Sequence, residues 1–238
     1  MQFKLFHKFV KKMRNSSMKK ILFLIPLFPF LTAFSQEEDI TTLKKSIKDK
    51  LIIDITIDNW LNAPKDIQTN LWPPGISVSA FNDVRFGNSP FGFAFGIGLS
   101  SHNVHSNGMF IEKQATDSTP AFTSFVPRTK PYSRNKISSN YIEIPFELRF
   151  RTKGNRPFRF YPGFKFDYLV NIHTKLIDDT GKWKYYTFPN ADPLRYGATA
   201  RIGFGIINFF GFYGLNSLFK TNGGPELIPW SAGFSVIF

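Results

Sequence analysis

Residues 141–170, YIEIPFELRFRTKGNRPFRFYPGFKFDYLV, hold two segments in which apolar residues recur at every second position, joined by a short Gly/Asn/Pro turn. Strict alternation predicts strands with two chemically opposed faces. In the first segment Ile142, Ile144, Phe146, Leu148 and Phe150 take one face, and Tyr141, Glu143, Glu147, Arg149 and Arg151 take the other. In the second, Phe158, Phe160, Phe164, Phe166 and Val170 oppose Arg159, Tyr161, Lys165 and Asp167. A bulky apolar stripe opposite a charged one suits a strand with lipid on one side and a wet lumen on the other.

Six more segments carry the same period: roughly 51–60, 75–85, 91–101, 195–206, 208–218 and 229–238, beside 140–152 and 157–171. Ten or more residues is long for a globular strand but fits a tilted membrane-spanning one, which needs about 9–11. The connections alternate in length. Gly87-Asn88-Ser89, Lys153-Gly154-Asn155-Arg156 and the junction near Ile206 to Asn208 are tight, whereas 61–74, 102–139, 172–194 and 219–228 are long. Outer-membrane barrels have short periplasmic turns and long extracellular loops. The expected fold is therefore all-β: an eight-stranded antiparallel up-and-down transmembrane β-barrel over 51–238, with its last strand ending in the periplasm at Phe238. Trp60, Trp72 and Trp230 fall at expected outer strand ends, where aromatic girdles sit.

Alternation alone also fits a secreted lipocalin-like barrel with an apolar interior. Small residues argue against it. Gly92, Ala94, Gly96, Gly98 and Ser100 alternate with Phe91, Phe93, Phe95, Ile97 and Leu99, and Gly197, Thr199, Gly203 and Gly205 recur on one parity of a later strand. Residues without bulk suit a crowded lumen that must house large charged side chains. Repeated Gly on a solvent face would only weaken strands. Pro145 and Pro162 lie inside strands and cannot donate to a ladder, so a bulge or a local gap is expected at each. Phe209-Phe210-Gly211-Phe212-Tyr213-Gly214 is apolar on both parities, which leaves its facing open.

Met18-Lys19-Lys20, the run Ile21–Phe34 and the ending Ala33-Phe34-Ser35 have the form of an export signal over 1–35. Residues 1–17 read as an upstream start codon. Cleavage near Gln36 leaves 23 Lys/Arg against 17 Asp/Glu, a net charge of +6 rather than +13. These charges lie on strand faces and in loops, not in one basic stripe, so a nucleic-acid partner is not expected. The chain has no cysteine, which removes disulfides, thiolate metal sites and a lipid anchor. A polar leader, 36–50, carries Ile40, Leu43 and Ile47 at helix-like spacing and is expected in the periplasm.

The chain resembles the PorT-like outer-membrane β-barrel proteins of Bacteroidetes-type bacteria. The resemblance is carried by Asn140-Tyr141-Ile142-Glu143-Ile144-Pro145-Phe146, Gly163-Phe164-Lys165, Arg195-Tyr196-Gly197 with Arg201-Ile202-Gly203, Gly211-Phe212-Tyr213, and the signal ending Phe34-Ser35-Gln36. It implies an eight-stranded barrel, integral in the outer membrane of a Gram-negative bacterium, and no single activity. The best-known members belong to the type IX secretion and gliding apparatus. The terminal strand, Trp230 to Phe238, resembles the C-terminal signal that the barrel assembly machinery recognises during insertion.

Eight strands enclose a space that side chains can fill. Parity sends Asp54, Asp58, Asp83, Arg85, Glu143, Glu147, Arg149, Arg151, Arg159, Lys165, Asp167, Arg195 and Arg201 inward. Acids and bases in similar number predict a paired network that plugs the lumen, because buried charges must be paired; a proton or ion path is the alternative. Candidate catalytic groups are few. His102 and His173 continue their strands on the lumenal parity near Ser100, Ser101, Asp178 and Asp179, and His102 and His105, three apart, point to opposite faces. No catalytic, cofactor or metal site is assigned, and the chain is expected not to be an enzyme. Lys113, Arg128, Lys130, Arg134 and Lys136, in the longest connection with Phe122 and Phe125, are candidate contacts for lipopolysaccharide phosphates. The expected role is structural or interactive, with outer-membrane lipid, lipopolysaccharide and other envelope proteins as partners. A secretion or gliding accessory and a lipid-modifying enzyme are the alternatives.

Overall fold

The computed structural model describes residues 50–238 except 71, 73, 114, 115, 117–120 and 187. The expected export signal and all of the leader but Lys50 lie outside the described residues. Twelve strands are present among the described residues: β1 (Leu51–Leu61), β2 (Thr69–Asn70), β3 (Gly75–Arg85), β4 (Phe91–Ser106), β5 (Gly108–Lys113), β6 (Phe122–Pro127), β7 (Arg134–Arg151), β8 (Phe158–Asp178), β9 (Gly181–Tyr185), β10 (Leu194–Phe204), β11 (Ile207–Gly214) and β12 (Ile228–Ile237). Eight of them pair antiparallel in the order β1-β3-β4-β7-β8-β10-β11-β12, and β12 returns to β1 from Ile52↔Ile237 to Leu61↔Ile228. These eight strands form a closed barrel, with β9 paired to β8 and β2 to β4 beyond the ring.

Burial follows parity. In β3, Gly75, Ser77, Ser79 and Phe81 are buried while Ile76, Val78 and Ala80 are exposed. A water-soluble barrel would show the reverse. The same sign appears in β4, β7 and β10, and β11 takes a definite facing, with Phe210 and Phe212 inside and Phe209 and Tyr213 outside. One apolar band runs around the outside from the row Phe91–Phe150 to the row Leu99–Ile142. Eight steps of ~3.3 Å at a tilt of ~40° make it roughly 20 Å tall, close to the apolar band of membrane barrels.

Three tight turns close one end, and in each a glycine has positive φ: Gly87 at 58°, Gly154 at 129° and Gly205 at 61°. Both prolines leave gaps rather than bulges. Pairing of β4 with β7 skips from Phe95↔Phe146 to Gly98↔Glu143 around Pro145, and pairing of β7 with β8 skips from Glu147↔Gly163 to Phe150↔Phe160 around Pro162, with register kept in both cases. The bulge lies elsewhere. Asn140 faces Asn171 but Tyr141 faces Leu169, so Val170 is an extra residue and β8 exchanges its faces there. Beyond it Ile172, Thr174 and Leu176 point in.

At the opposite, loop end the long connections are more structured than expected. The 102–139 connection is largely sheet: β4 continues to Ser106, β7 begins at Arg134, and β5 and β6 form a separate hairpin. The 172–194 connection contains the rest of β8 and its hairpin with β9. These pieces enclose an apolar core of Trp60, Ile67, Val104, Phe125, Ile137, Ile172, Leu218, Phe219 and Leu227. Trp60, expected in a girdle, is instead 7% exposed and packs edge-on against Phe110 and Phe125. Trp230 is half-buried, and Trp72 is 71% exposed.

Phe146 lies in the middle row of the outer band, opposite Phe95 on β4 and Phe164 on β8. Phe146→Arg should cost about 2–4 kcal/mol, against at most about 1 kcal/mol for Leu99→Arg at the band's edge. Denaturant titration of the barrel refolded into vesicles measures both; equal costs would contradict this placement of the band.

Candidate functional site: the charged lumen and the loop-end sheet

The lumen holds six acids and six bases in two tiers. Toward the turns, Arg201 Nη2 binds Asp54 Oδ2 at 2.6 Å and its Nη1 meets Glu147. Glu147 Oε2 also accepts from Arg149 Nε at 3.0 Å and lies in ion-pair contact with its Nη2 at 2.9 Å. Arg151 pairs with Asp83, and Arg159 donates to the Gly205 carbonyl and, at 3.1 Å, to the Tyr161 hydroxyl. Toward the loops, Lys165 Nζ meets Glu143 Oε1 at 2.5 Å and Arg195 Nε meets Asp167 Oδ2 at 2.7 Å. Asp58 accepts from Ser231 at 2.7 Å, Thr56 at 2.9 Å and the Asn103 amide at 3.0 Å. Twelve of the thirteen residues assigned to the lumen by parity are thus brought together. Arg85 is the correction: it has the right parity but is exposed at the very end of β3, past the ring of partners, where water solvates it.

Aromatic rings separate the like charges, a feature the charge pattern alone did not reveal. The Arg149 guanidinium lies between Phe81 at 4.7 Å and Tyr161 at 5.0 Å, and Arg195 is 3.9 Å from the Tyr141 ring centre with Phe212 at 4.9 Å. Arg201 sits over Phe210 at 4.5 Å. Such contacts suit desolvated guanidinium groups. The sequence signal was the aromatic residues standing on the charged parity. Small residues make room: a Cβ on Gly98 would come 2.2 Å from Ser79 Oγ, and one on Gly197 would strike the Tyr213 carbonyl at 2.2 Å.

His102 is buried at the top of this network. Its Nδ1 lies 2.9 Å from Asp58 Oδ1 and its Nε2 2.9 Å from Arg195 Nη2. Arginine only donates, so Nε2 accepts and Nδ1–H donates to Asp58. Both ring nitrogens are occupied, and Ser231 donates to Asp58 rather than to the ring. That is a structural hydrogen-bond chain, not a nucleophile–base pair. The cavity beside it measures about 20 Å³, room for a single water. His173 does not join it, because the Val170 bulge turns it to the outer face, where it contacts Asn171 at 3.0 Å. Among the described residues no group of three or more His, Cys, Asp or Glu could hold a metal.

The five cations assigned to the longest connection are scattered. Lys113 ends the β5–β6 hairpin, Arg128 and Lys130 lie in the segment after it, and only Arg134 and Lys136 share a face of β7. That face carries further bases not singled out from the sequence. Cross-strand register sets His105, Lys136, Lys175 and Lys184 side by side across β4, β7, β8 and β9, with Arg134, Ile177 and Lys182 in the next row. Lys136 Nζ donates to Asn103 Oδ1 at 2.7 Å. Burial, then Lys175, Arg134 and Lys184, lowers the Lys136 pKa, and burial with Lys136 and Arg134 brings His105 down to about 4.

Glu147 is 1% exposed and neutralises two buried arginines. Glu147→Gln should destabilise the barrel by about 3–5 kcal/mol, because it leaves buried cation charge uncompensated. Adding Arg201→Met should recover part of the loss, and denaturant titration of both variants tests the coupling.

The sequence profile for the outer membrane protein beta-barrel domain matches residues 47–220. A search of curated proteins finds no match to the chain. The profile match stops short of β12, the strand that completes the ring by pairing with β1. Outward apolar band, charged lumen, closed eight-strand ring and profile agree, and the chain belongs to the family of outer membrane protein β-barrel domains.

Proposed function

We propose that the protein is a non-enzymatic barrel of the Gram-negative outer membrane with a structural or interaction role, exposing its loop end to the exterior. The observation that carries this reading is the filled interior: paired charges occupy the lumen, and the apolar core around Trp60 and Phe125 covers them at the loop end. Nothing wider than a water fits beside the His102 chain. Short turns on one side and long excursions on the other support the orientation.

Within the family, Asn140 to Phe146 and the Arg195 to Gly203 segment support a PorT-like placement of Bacteroidetes type. Those residues serve the barrel itself: Glu143, Arg195 and Arg201 are lumen partners, and Ile142 and Ile144 belong to the outer band. They speak for architecture and not for a secretion role.

In liposomes the refolded protein should give no ion conductance above that of empty vesicles. Stable channel openings would overturn the filled-lumen reading.

A further inference from the structure

On the outer face of the loop-end sheet the chemistry changes in a fixed order with height. The apolar band ends at Leu99 on β4, Ile142 on β7 and Tyr168 on β8. Above it come two neutral polar rows, Ser101–Asn140–Asn171 and Asn103–Ser138–His173. Next is the row His105–Lys136–Lys175–Lys184, and then Arg134–Ile177–Lys182. Burial, followed by Lys184, Lys136 and Lys175, also lowers the His173 pKa, so the two histidines leave the lysines as the charged groups.

Directly opposed side chains on neighbouring strands stand ~5 Å apart, and like charges in that position are destabilising. Inside the barrel this protein interleaves every base with acids or rings. On this face it does not: Lys136 has the neutral Asn103 as its partner, and Arg134, Lys175, Lys182 and Lys184 form no ion pair among the described residues. Five uncompensated cations on one face of a four-stranded sheet call for an anion with several charges. Position narrows its kind. From Leu99 to His105 is six residues, ~20 Å of strand and roughly 15 Å of height at a ~40° tilt. A simple phospholipid headgroup layer is only ~5–7 Å thick. An amphiphile whose acyl chains meet the band, whose sugars meet the Ser/Asn rows and whose phosphates reach the lysines matches all three levels.

We propose that the outer face of the β4–β7–β8–β9 sheet, with Lys136, Lys175 and Lys184 as its central row and Arg134 and Lys182 above, binds the phosphorylated saccharide of outer-leaflet lipopolysaccharide. The proposal rests on the membrane-barrel reading with the loop end outward. It deepens that reading by naming a lipid partner and the residues that hold it.

The test uses the full-length barrel folded in mild detergent and titrated with bis-phosphorylated lipid A, with native mass spectrometry reading the bound fraction. Wild type should bind it, and K136Q/K175Q/K184Q should weaken binding roughly 100-fold, taking ~1 kcal/mol for each lysine removed. The triple variant should melt no lower than wild type in lipid-free detergent, since the repulsion it relieves outweighs the Lys136–Asn103 hydrogen bond it gives up. K113Q/K130Q, off this face, should bind as wild type does. Undiminished binding by the triple variant, or an equal loss in K113Q/K130Q, would overturn the site. Equal binding of phosphate-free lipid A would overturn the phosphate contact. Equal binding of phosphatidylglycerol or of soluble polyphosphate would overturn the choice of a phosphorylated glycolipid. Gel mobility before and after heating separates the two levels of failure. A protein that forms no closed barrel refutes the membrane reading and this site with it, whereas a closed barrel that ignores lipid A refutes only the site.

Discussion

Charge neutralisation inside a closed ring is the condition on which the rest of this structure depends. A barrel of eight strands has no room for a water column, so every ionised group on the inner parity must meet an opposite charge or a set of hydrogen-bond partners directly. Five carboxylates and five cationic side chains do so, with Glu147 shared by Arg149 and Arg201 and Glu143 contacted by Lys165 and Arg195, while Asp58 and Arg159 are held by hydrogen bonds. Each of those links joins residues on different strands or on alternate positions of one. The network thereby fixes the register that hydrogen bonding alone leaves open by two-residue steps. Glycines and serines on the same parity follow from it, since long cationic side chains must cross the lumen to reach their partners.

Most of this was legible in the sequence because the membrane imposes a simple rule. Where lipid lies outside, alternation is strict, and strand positions, facing and twelve of the inner charged residues follow from parity. The failures occur where that rule stops. Above the outer band both faces of β4, β7 and β8 are polar or mixed, as in Arg134-Asn135-Lys136-Ile137-Ser138-Ser139-Asn140, and a strand with water on its outer side has no apolar stripe to reveal it. Residues 102–139 therefore looked like loop. Trp60 looked like a girdle residue for the same reason: nothing local in the sequence announces that a distant hairpin will bring Phe110 and Phe125 over it. Arg85 failed differently, through distance along the strand rather than parity.

The surface bases show what a list of charges along the chain conceals. Lys136, Lys175 and Lys184 are 39 and 9 residues apart in sequence and become neighbours only through register. Grouping by proximity in the chain gathered Lys113 and Lys130 with Lys136, though the fold puts them on other elements. Register is the quantity that a single sequence specifies least well at such distances.

Val170 sets the chemistry of the region above the band. As the extra residue in β8 it reverses the strand's facing, so Ile172, Thr174 and Leu176 enter the upper core while His173 and Lys175 look outward. A ladder that ran through Val170 without the bulge, with the lower pairing kept, would set Lys175 opposite the inward-facing Asn135 beneath the cap and turn Ile172 and Leu176 to the outer, polar face. One inserted residue thus acts as a parity switch between two solvents. It lets a single continuous strand obey the inside-out rule of the bilayer in its lower half and the ordinary apolar-inside rule of water in its upper half.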